Sequence, residues 1–244
     1  MNRSIFDNDT FFEGYRRLRD TDDNANILLE QPAMSELLPD LVGKRVLDLG
    51  CGWGHNCRDF VRRGATSVVG VDLSEKMLAA AQKENADSRI IYHHMDMAVI
   101  DRLDGPFDLV YSSLAFHYVE DFDSFIENIA SLLSPGGLLL FSQEHPLTTA
   151  SIDDWWWIKN EAGEKVAFAL SDYSKPGRRE THWFVDGVVK YHRTIGGIVT
   201  ALIGHGLTVR KLVEPVPRPD VLERHPRYAD ELLKPSFLII LAEK

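Results

Sequence analysis

The sequence has few cysteines, no basic excess and no long apolar segment. Only two of its 244 residues, Cys51 and Cys57, are cysteines. Two cysteines cannot build the disulfide framework of a small secreted protein, so we expect a reducing, cytoplasmic environment. The longest apolar run, residues 237–242, is far too short to cross a bilayer, and residues 1–10 lack the apolar stretch of a secretory leader. These absences predict a cytoplasmic protein with no membrane partner.

The charge balance is acidic. Lysine and arginine total 27 residues against 37 aspartates and glutamates, which gives a net charge of −10. Proteins that bind nucleic acid normally present a basic face that neutralises phosphates. Here only short basic clusters occur, such as Arg62-Arg63 and Arg178-Arg179. We therefore expect a small-molecule partner rather than DNA or RNA.

Short apolar runs rich in Val, Ile and Leu alternate with polar or glycine turns and helical patterns. This alternation predicts an α/β protein in which helices cover a parallel sheet. The predicted strands are residues 45–49, 67–71, 90–93, 107–112, 138–142, 207–213 and 237–241. The predicted helices are residues 9–19, 32–38, 54–63, 74–83, 122–133 and 194–203.

Residues 143–193 interrupt this alternation and are dense in aromatic side chains. The run Trp155-Trp156-Trp157 is either an apolar wall for a substrate or a small core for the segment itself. A hairpin is predicted over residues 183–191, with its turn at Asp186-Gly187. Ordered connections of this length usually form lids or binding loops.

The sequence VLDLGCGWG, residues 46–54, is an apolar strand that runs into a glycine turn. Glycine allows the close approach of a ligand and backbone angles that a Cβ would forbid. The helix that follows presents free N–H groups at the same place. This segment alone also fits a dinucleotide-binding turn, although its G-x-G-x-G spacing differs from the G-x-G-x-x-G fingerprint.

Two acidic residues follow later strands. Asp72 ends the second strand, where a carboxylate can accept both hydroxyls of a ribose. Proteins that bind NAD and proteins that bind S-adenosylmethionine share this device. Asp96 can accept a hydrogen bond from the adenine amine, and Met97 can pack against the ring. In isolation these two would be a surface aspartate and a core methionine.

Taken together, VLDLGCGWG, VVGVDLS, the Asp96 turn, PFDLVYSSLAFHYVED and LLSPGGLLLFS resemble the class I S-adenosylmethionine-dependent methyltransferases. The resemblance is to the small-molecule branch, similar to the ubiquinone- and biotin-pathway methyltransferases. It implies a doubly wound, mostly parallel, seven-stranded Rossmann-like sheet with an antiparallel last strand and a lid insertion after strand five. The implied parts are an N-terminal helical cap (1–42), a cofactor-binding core (43–142), a substrate lid insertion (143–193) and a C-terminal completion of the core (194–244).

The resemblance also implies the cofactor, S-adenosyl-L-methionine, with S-adenosyl-L-homocysteine as product. Asp72 would bind the ribose, Asp48 would reach the methionine amine, usually through water, and Tyr15 and Arg19 would close over the methionine carboxylate. Arg16 and Arg17 are near enough to leave the choice of arginine open. The implied cofactor-binding residues are Tyr15, Arg19, Asp48, Gly50, Gly52, Gly54, Asp72, Leu73, Met77, Asp96, Met97, Ser113 and Leu114.

Two branches of the family are disfavoured. Nucleic-acid amino-methyltransferases carry an Asn/Asp-Pro-Pro-Tyr segment after the fourth strand, where this chain has Ser112-Ser113-Leu114-Ala115. The Pro-Cys nucleophile that attacks pyrimidine rings is also missing from the sequence. Both differences agree with the acidic charge.

Three histidines are candidates for a catalytic role. Methyl transfer is an in-line displacement, and a general base matters only when the acceptor arrives protonated. His117 follows the fourth strand, His145 the fifth, and His192 ends the aromatic hairpin. Each also has a structural interpretation, as a residue that packs against the cofactor, ends a strand or anchors the hairpin.

Trp183, Tyr191 and Arg193 are the candidate substrate contacts, because the hairpin returns toward the crevice just before the last helix. We expect no metal site. His93 and His94 are adjacent strand residues that point to opposite faces, and no further ligands complete a shell.

The predicted function is methyl transfer from S-adenosylmethionine to the O, N or C of an unidentified small molecule. Three alternatives remain open: a non-catalytic S-adenosylmethionine-binding module, a protein methyltransferase and an NAD-dependent oxidoreductase. Turnover separates the enzyme from the module. A titration with S-adenosylhomocysteine and with NADH separates the methyltransferase from the oxidoreductase.

Overall fold

The computed structural model describes residues 4–151 and 156–244. The strands are β1 Arg45–Leu49, β2 Ser67–Asp72, β3 Ile90–His94, β4 Phe107–Ser112, β5 Leu133–Glu144, β6 Trp156–Lys159, β7 Lys165–Ala169, β8 Gly177–Trp183, β9 Val185–His192, β10 Thr208–Val213 and β11 Phe237–Glu243. The α-helices are α1 Asp9–Arg19, α2 Gln31–Leu37, α3 His55–Arg62, α4 Glu75–Glu84, α5 Phe122–Leu132, α6 Pro146–Thr149, α7 Ile195–Gly204 and α8 Pro219–Arg224. A π-helix, Asn26–Glu30, leads directly into α2.

The seven-stranded sheet has the order β10-β11-β5-β4-β1-β2-β3. β11 runs antiparallel to both of its neighbours, and the other strands are parallel to one another. The predicted doubly wound sheet with an antiparallel last strand is therefore confirmed. The strand order reverses between β1 and β4, and ligands of such sheets bind at the carboxyl ends of the strands beside this point.

Helices cover both faces of the sheet. On one face Leu47 and Leu49 of β1 pack in a cluster with residues of α5 and α7, and on the other Val46 packs in a cluster that includes Phe60 of α3. Burial on both faces explains why β1, after Arg45 at its start, is apolar rather than alternating. Asp48, a carboxylate that is 1% exposed, is the exception in this strand.

The insertion after β5 contains α6, the β6–β7 hairpin and the β8–β9 hairpin. Trp155 lies outside the described residues, and of Trp156 only the backbone is described. The Trp157 ring packs at 5.3 Å, centroid to centroid, against Phe168 across the β6–β7 hairpin. This contact supports the structural interpretation of the tryptophan run for Trp157.

The predicted turn at Asp186-Gly187 is wrong. Both residues lie inside β9, and the chain reverses at Phe184, which has a φ of 61°. The reason is a tertiary contact, because the Phe184 ring packs on α1. A Cβ on Gly14 would lie only 2.7 Å from Phe184 Cδ1. Docking against the helix overrides the local turn preference.

Candidate functional site

The glycine turn lies at the carboxyl end of β1, at the reversal of strand order. Gly50, Gly52 and Gly54 have φ values of 71°, 52° and 75°, in the left-handed region that favours glycine. A Cβ on Gly50 would lie 2.5 Å from the Ala115 Cβ, and a Cβ on Gly54 would lie 2.2 Å from Tyr92 Oη. Neither position has room for a side chain, so the turn keeps its backbone open toward the crevice.

Asp72, at the end of β2, joins this turn to the start of α4. Its Oδ2 accepts the Gly52 N–H at 2.8 Å, and its Oδ1 accepts the Ser74 N–H at 2.8 Å. Burial raises the pKa of Asp72, against these backbone hydrogen bonds, which lower it. Each carboxylate oxygen has a further lone pair, so Asp72 can accept the hydroxyls of a ribose in the crevice.

Asp48 carries a buried oxygen that lacks a partner. Its Oδ2 accepts a weak hydrogen bond from Cys57 Sγ at 3.2 Å. Within residues 4–151 and 156–244, no group reaches Oδ1. Burial raises the pKa of Asp48 to about 7. A buried acceptor without a partner is costly, and a donor such as an ammonium group would satisfy it. The contact of Asp48 with the methionine amine stays a prediction.

The first helix covers the glycine turn. The Tyr15 ring stacks on Trp53 at 5.4 Å, with 7° between the planes, and the Arg19 guanidinium lies 5.8 Å from the Tyr15 ring. Arg16 and Arg17 are exposed, whereas Arg19 is half-buried. Of the three arginines that the sequence left open, Arg19 is the one that lies on the inner side of α1.

Glu30 is a site residue that the sequence reasoning missed. It is fully buried, and its Oε1 accepts hydrogen bonds from Ser113 Oγ at 2.8 Å and Ser142 Oγ at 2.5 Å. Ser142 Oγ in turn accepts the N–H of Leu114, whose φ is 55°. Glu30 thus ties the ends of β4 and β5 together beneath the crevice. The available signal was an acidic residue directly after three apolar ones.

The residues predicted around the adenine follow the carboxyl ends of β2 and β3, and one of them, Met77, lies in the first turn of α4. Leu73 is half-buried and Met77 is buried, and the side chain of Met97 packs against the core. Asp96 Oδ1 accepts the Ala98 N–H at 3.0 Å and so caps the turn that follows β3. Their contacts with an adenine stay predictions.

A cavity of about 300 Å³ lies between the end of β5 and the β8–β9 hairpin. Its lining residues include Glu144, Ser151, Arg179, Trp183 and Lys190. The Trp183 ring also lies 5.6 Å from Tyr15, which stacks on Trp53 of the glycine turn. The cavity is therefore next to the crevice, with Trp183 at the boundary.

The cavity contains an ion pair. Lys190 Nζ donates to Glu144 Oε1 at 2.5 Å, and the ammonium lies 5.2 Å from the centre of the Trp183 ring. Burial favours a higher pKa for Glu144, but Lys190, together with the nearby His117 and Lys234, holds the pKa below its usual value. Glu144 is therefore ionised at neutral pH.

The three candidate histidines are not equivalent. His145 bonds to Glu214 through Nε2 and accepts the Leu147 N–H at Nδ1. His192 bonds to Thr149 through Nδ1 and to the Tyr173 carbonyl through Nε2. Both nitrogens of each ring are thus engaged in holding the chain together.

His117 is arranged differently. Its Nδ1 accepts the Glu144 N–H at 3.3 Å, and within the described ranges no hydrogen bond reaches its Nε2. Burial lowers the pKa of His117 to about 4, so the ring is neutral at pH 7. Among the three histidines, His117 is the one with a nitrogen available to a ligand.

Of the predicted substrate contacts, Trp183 lines the cavity. Lys190 and His192 are buried on one face of β9, and Tyr191 points to the other face. Arg193 donates to the carbonyls of Val119 and Glu120, which fixes the end of β9 to the segment before α5. The substrate roles of Tyr191 and Arg193 stay predictions.

No group of three or more His, Cys, Asp or Glu side chains in residues 4–151 and 156–244 is arranged to hold a metal ion. In the same residues, no helix combines the length and apolarity needed to cross a membrane.

Comparisons with known proteins agree with this geometry. A family model described as a methyltransferase domain matches residues 46–137. An uncharacterized protein of Haemophilus influenzae is 38% identical over 247 residues, which cover 99% of this chain and 97% of that protein. A ubiquinone biosynthesis O-methyltransferase of Chromobacterium violaceum is 35% identical over 105 residues, 42% of this chain and 45% of the relative.

Two solved methyltransferase structures are similar to this chain over most of its length. An S-adenosylmethionine-dependent methyltransferase from Mesorhizobium loti is 39% identical, with a TM-score of 0.81, and the match covers 93% of this chain and all of that one. A putative one from Listeria monocytogenes is 34% identical, also with a TM-score of 0.81, over 88% and 96% of the two chains. The cofactor is therefore S-adenosylmethionine rather than NAD, and this chain belongs to the class I S-adenosylmethionine-dependent methyltransferases.

Proposed function

We propose that the enzyme transfers the methyl group of S-adenosylmethionine to an O, N or C atom of a small molecule held in the cavity beneath the β8–β9 hairpin. The main observation that supports this proposal is that the cavity adjoins the glycine turn through Trp183. Its volume of about 300 Å³ is at the lower end of the range for small-molecule sites. A concave site of this kind suits a metabolite better than a macromolecular surface.

The cofactor supplies an electrophilic methyl group on a positively charged sulfur. The chain's residues bind and orient it: Asp72 accepts the ribose hydroxyls, Asp48 accepts the amine, and Arg19 pairs with the carboxylate. Arg19 can do this with two parallel N–H groups. Tyr15 and Trp53 stack over the turn and exclude water from the reacting centre.

His117 orients the acceptor in this proposal. A general base is most effective when its pKa is close to the working pH. The pKa of His117, about 4, lies far below neutrality because the ring is buried. Because Nδ1 accepts the Glu144 N–H, the proton of the neutral ring is on Nε2, which can donate a hydrogen bond to the substrate and fix its direction.

The destination of a labelled methyl group tests the proposal. The enzyme is incubated with deuteriomethyl S-adenosylmethionine and a bacterial extract, which is then separated into metabolites and macromolecules. We expect the label in a metabolite, and its loss in the variant Asp72→Asn. Label confined to the protein or RNA fraction would contradict the proposal and point to a macromolecular acceptor.

A further inference from the structure

Two cations lie side by side in the wall of the cavity. Arg179 of β8 and Lys190 of β9 are directly opposite each other in the hairpin register. Both are buried, at 6% and 7% exposure. Like charges at directly opposite positions destabilise a hairpin. Glu144 pairs with Lys190, whereas Arg179 forms no ion pair with the described residues.

Arg179 is held by backbone carbonyls. It donates to the carbonyl oxygens of Ala150 at 3.1 Å and Lys175 at 2.6 Å, and to those of Gly177 and Arg178. In the part of the chain that the structure describes, its guanidinium forms no ion pair; the charge of the Asp172 carboxylate acts on it, but Asp172 itself pairs with Lys175. Buried charges are normally paired, so a guanidinium in a cavity wall without an ion-pair partner among the described residues is a place for an anion.

A second polar group in the same wall lacks a partner. Ser151 Oγ is buried, lines the cavity and makes no hydrogen bond to any described residue. Nearby, the hydroxyl of Thr148 accepts a hydrogen bond from Lys234 Nζ at 2.8 Å, which leaves its own proton to donate. The cavity thus contains hydroxyl donors as well as the guanidinium.

The position of Arg179 along β8 determines which end of the cavity the charged group of a ligand occupies. Trp183 lies four residues further along β8, which is about 13 Å at the rise of an extended strand. The Trp183 end of the cavity adjoins the glycine turn, where the cofactor binds. An anion beside Arg179 therefore occupies the end of the cavity that is far from the methyl group.

We infer that the methyl acceptor is a small carboxylate, held by Arg179 and Ser151 through its charged group, with the atom that receives the methyl near Trp183. This inference rests on the proposed function and names the class of its substrate. In the transfer, a lone pair of that atom forms the bond to the methyl carbon. The carbon–sulfur pair returns to sulfur, and any proton on the acceptor leaves to solvent.

Matched ligand pairs test the inference on the unmodified enzyme. The probes are 4-hydroxycinnamate, indole-3-propionate and 6-hydroxyhexanoate, each compared with its carboxamide by calorimetry on the enzyme loaded with S-adenosylhomocysteine. A charge-assisted contact predicts that at least one carboxylate binds about tenfold or more tightly than its amide. If no carboxylate in the panel binds more tightly than its amide, the inference is overturned.

Variants test whether Arg179 is the residue that causes the preference for carboxylate over amide. Arg179→Gln should remove the preference for carboxylate over amide and leave the affinity for S-adenosylhomocysteine unchanged. Arg178→Gln is the matched control, because Arg178 is exposed on the same strand and pairs with Glu180. Equal preferences in the two variants would contradict the role of Arg179.

A second variant and the labelling experiment show whether a negative result comes from misfolding, from the carboxylate inference or from the proposed function. Arg179→Gln removes the donor to four carbonyls, so Arg179→Lys, which keeps the charge, provides a second variant and should retain part of the preference. If the labelling experiment yields methylated metabolites that are all uncharged, the proposed function stands and the carboxylate inference fails. If the label enters only macromolecules, the proposed function itself fails.

Discussion

Three carboxylates, Glu30, Asp48 and Asp72, are held in or beside the cofactor crevice in different ways. Glu30 accepts three side-chain hydrogen bonds, Asp72 accepts two from the backbone, and Asp48 accepts a single weak one from a thiol. Burial raises the pKa of each. S-adenosylmethionine carries an ammonium and a sulfonium, so a cationic ligand stabilises charges that the free protein holds at a cost.

The variant Asp48→Asn tests whether the buried charge of Asp48 destabilises the protein in the absence of a ligand. The pKa of Asp48 is raised from 3.8 to about 7, so the folded state binds a proton that the unfolded state has lost between these values. Its contribution to the free energy of unfolding therefore falls as the pH rises from about 4 to about 7. We expect Asp48→Asn to be more stable than the wild type by about 1–3 kcal/mol at about pH 8, and similar to it below about pH 4.

The same variant should bind S-adenosylmethionine about tenfold or more weakly, because the amine loses a charged acceptor. Urea denaturation at the two pH values and calorimetric titration measure the two effects. A stability difference that is the same at both pH values would show that ionisation of Asp48 is not its cause.

For His117 we expect a contribution to folding stability that depends on pH in the opposite sense to that of Asp48. Burial lowers its pKa from 6.5 to about 4, so between these values the unfolded state binds a proton that the folded state does not. The contribution of His117 to stability is present above about pH 6.5 and is lost as the pH falls to about 4. We expect the stability of the wild type relative to His117→Gln to decrease over this range by roughly 3 kcal/mol.

Chemical denaturation at several pH values measures this difference. The variant His182→Gln, at an exposed site in the β8–β9 hairpin, is the control for loss of one imidazole. If the relative stability of His117→Gln stays constant between about pH 6.5 and pH 4, the ring is not held neutral by burial.

At the scale of elements, α1 and the tip of the β8–β9 hairpin together cover the site. The Phe11 ring meets Trp183 edge-on at 5.3 Å and Phe184 at 5.7 Å, and Tyr15 bridges from Trp183 to the glycine turn. These elements are about 170 residues apart in the sequence and pack through aromatic side chains. We expect them to separate when ligands enter and leave.

Gly14 makes that packing possible, so Gly14→Ala should loosen it. The added Cβ would lie 2.7 Å from Phe184 Cδ1, which forces the ring or the helix to move. We expect faster amide hydrogen exchange in α1 and affinity for S-adenosylhomocysteine weaker by roughly threefold to tenfold, since one contact of the cover is lost.

The control is Gly204→Ala in α7, where nothing lies within 4 Å of the added Cβ. The substitution suits a helix, so α1 should exchange as it does in the wild type. If Gly14→Ala and Gly204→Ala exchange identically in α1, the Phe184 contact does not hold the cover in place.

The elements also show what can be predicted from the sequence. The first strand, the fourth strand and α1 have the bounds that their periodicity predicted, because burial on one or both faces determines the local pattern. The glycine turn and Asp72 lie where the motifs placed them. These features depend on residues that are near one another in the chain.

Features that depend on distant partners were not predicted. Glu30 acts through serines 83 and 112 residues away, and the sequence around Glu30 does not indicate these partners. The pairing of Arg179 with Lys190 follows from a hairpin register that the incorrect turn at Asp186-Gly187 had shifted. The cavity proposed for the methyl acceptor is therefore visible only in the three-dimensional structure.

At the scale of the whole molecule, the cofactor crevice and the cavity proposed for the methyl acceptor differ in origin. The sheet supplies the glycine turn, Asp72 and Asp48, and the insertion supplies Arg179, Lys190 and Trp183. The ubiquinone-pathway relative aligns over less than half of either chain. The cavity wall formed largely by the insertion carries an excess of positive charge in a chain whose net charge is −10, so total charge does not describe the site.

The most direct test is a crystal structure of the enzyme with S-adenosylhomocysteine and a methyl acceptor identified by the labelling experiment. We predict the ribose hydroxyls on Asp72 and the sulfur facing the Trp183 end of the cavity. The accepting atom should lie in line with the sulfur, at the spacing that one methyl group bridges. A sulfur that faces away from the cavity, or an acceptor bound outside it, would contradict the account.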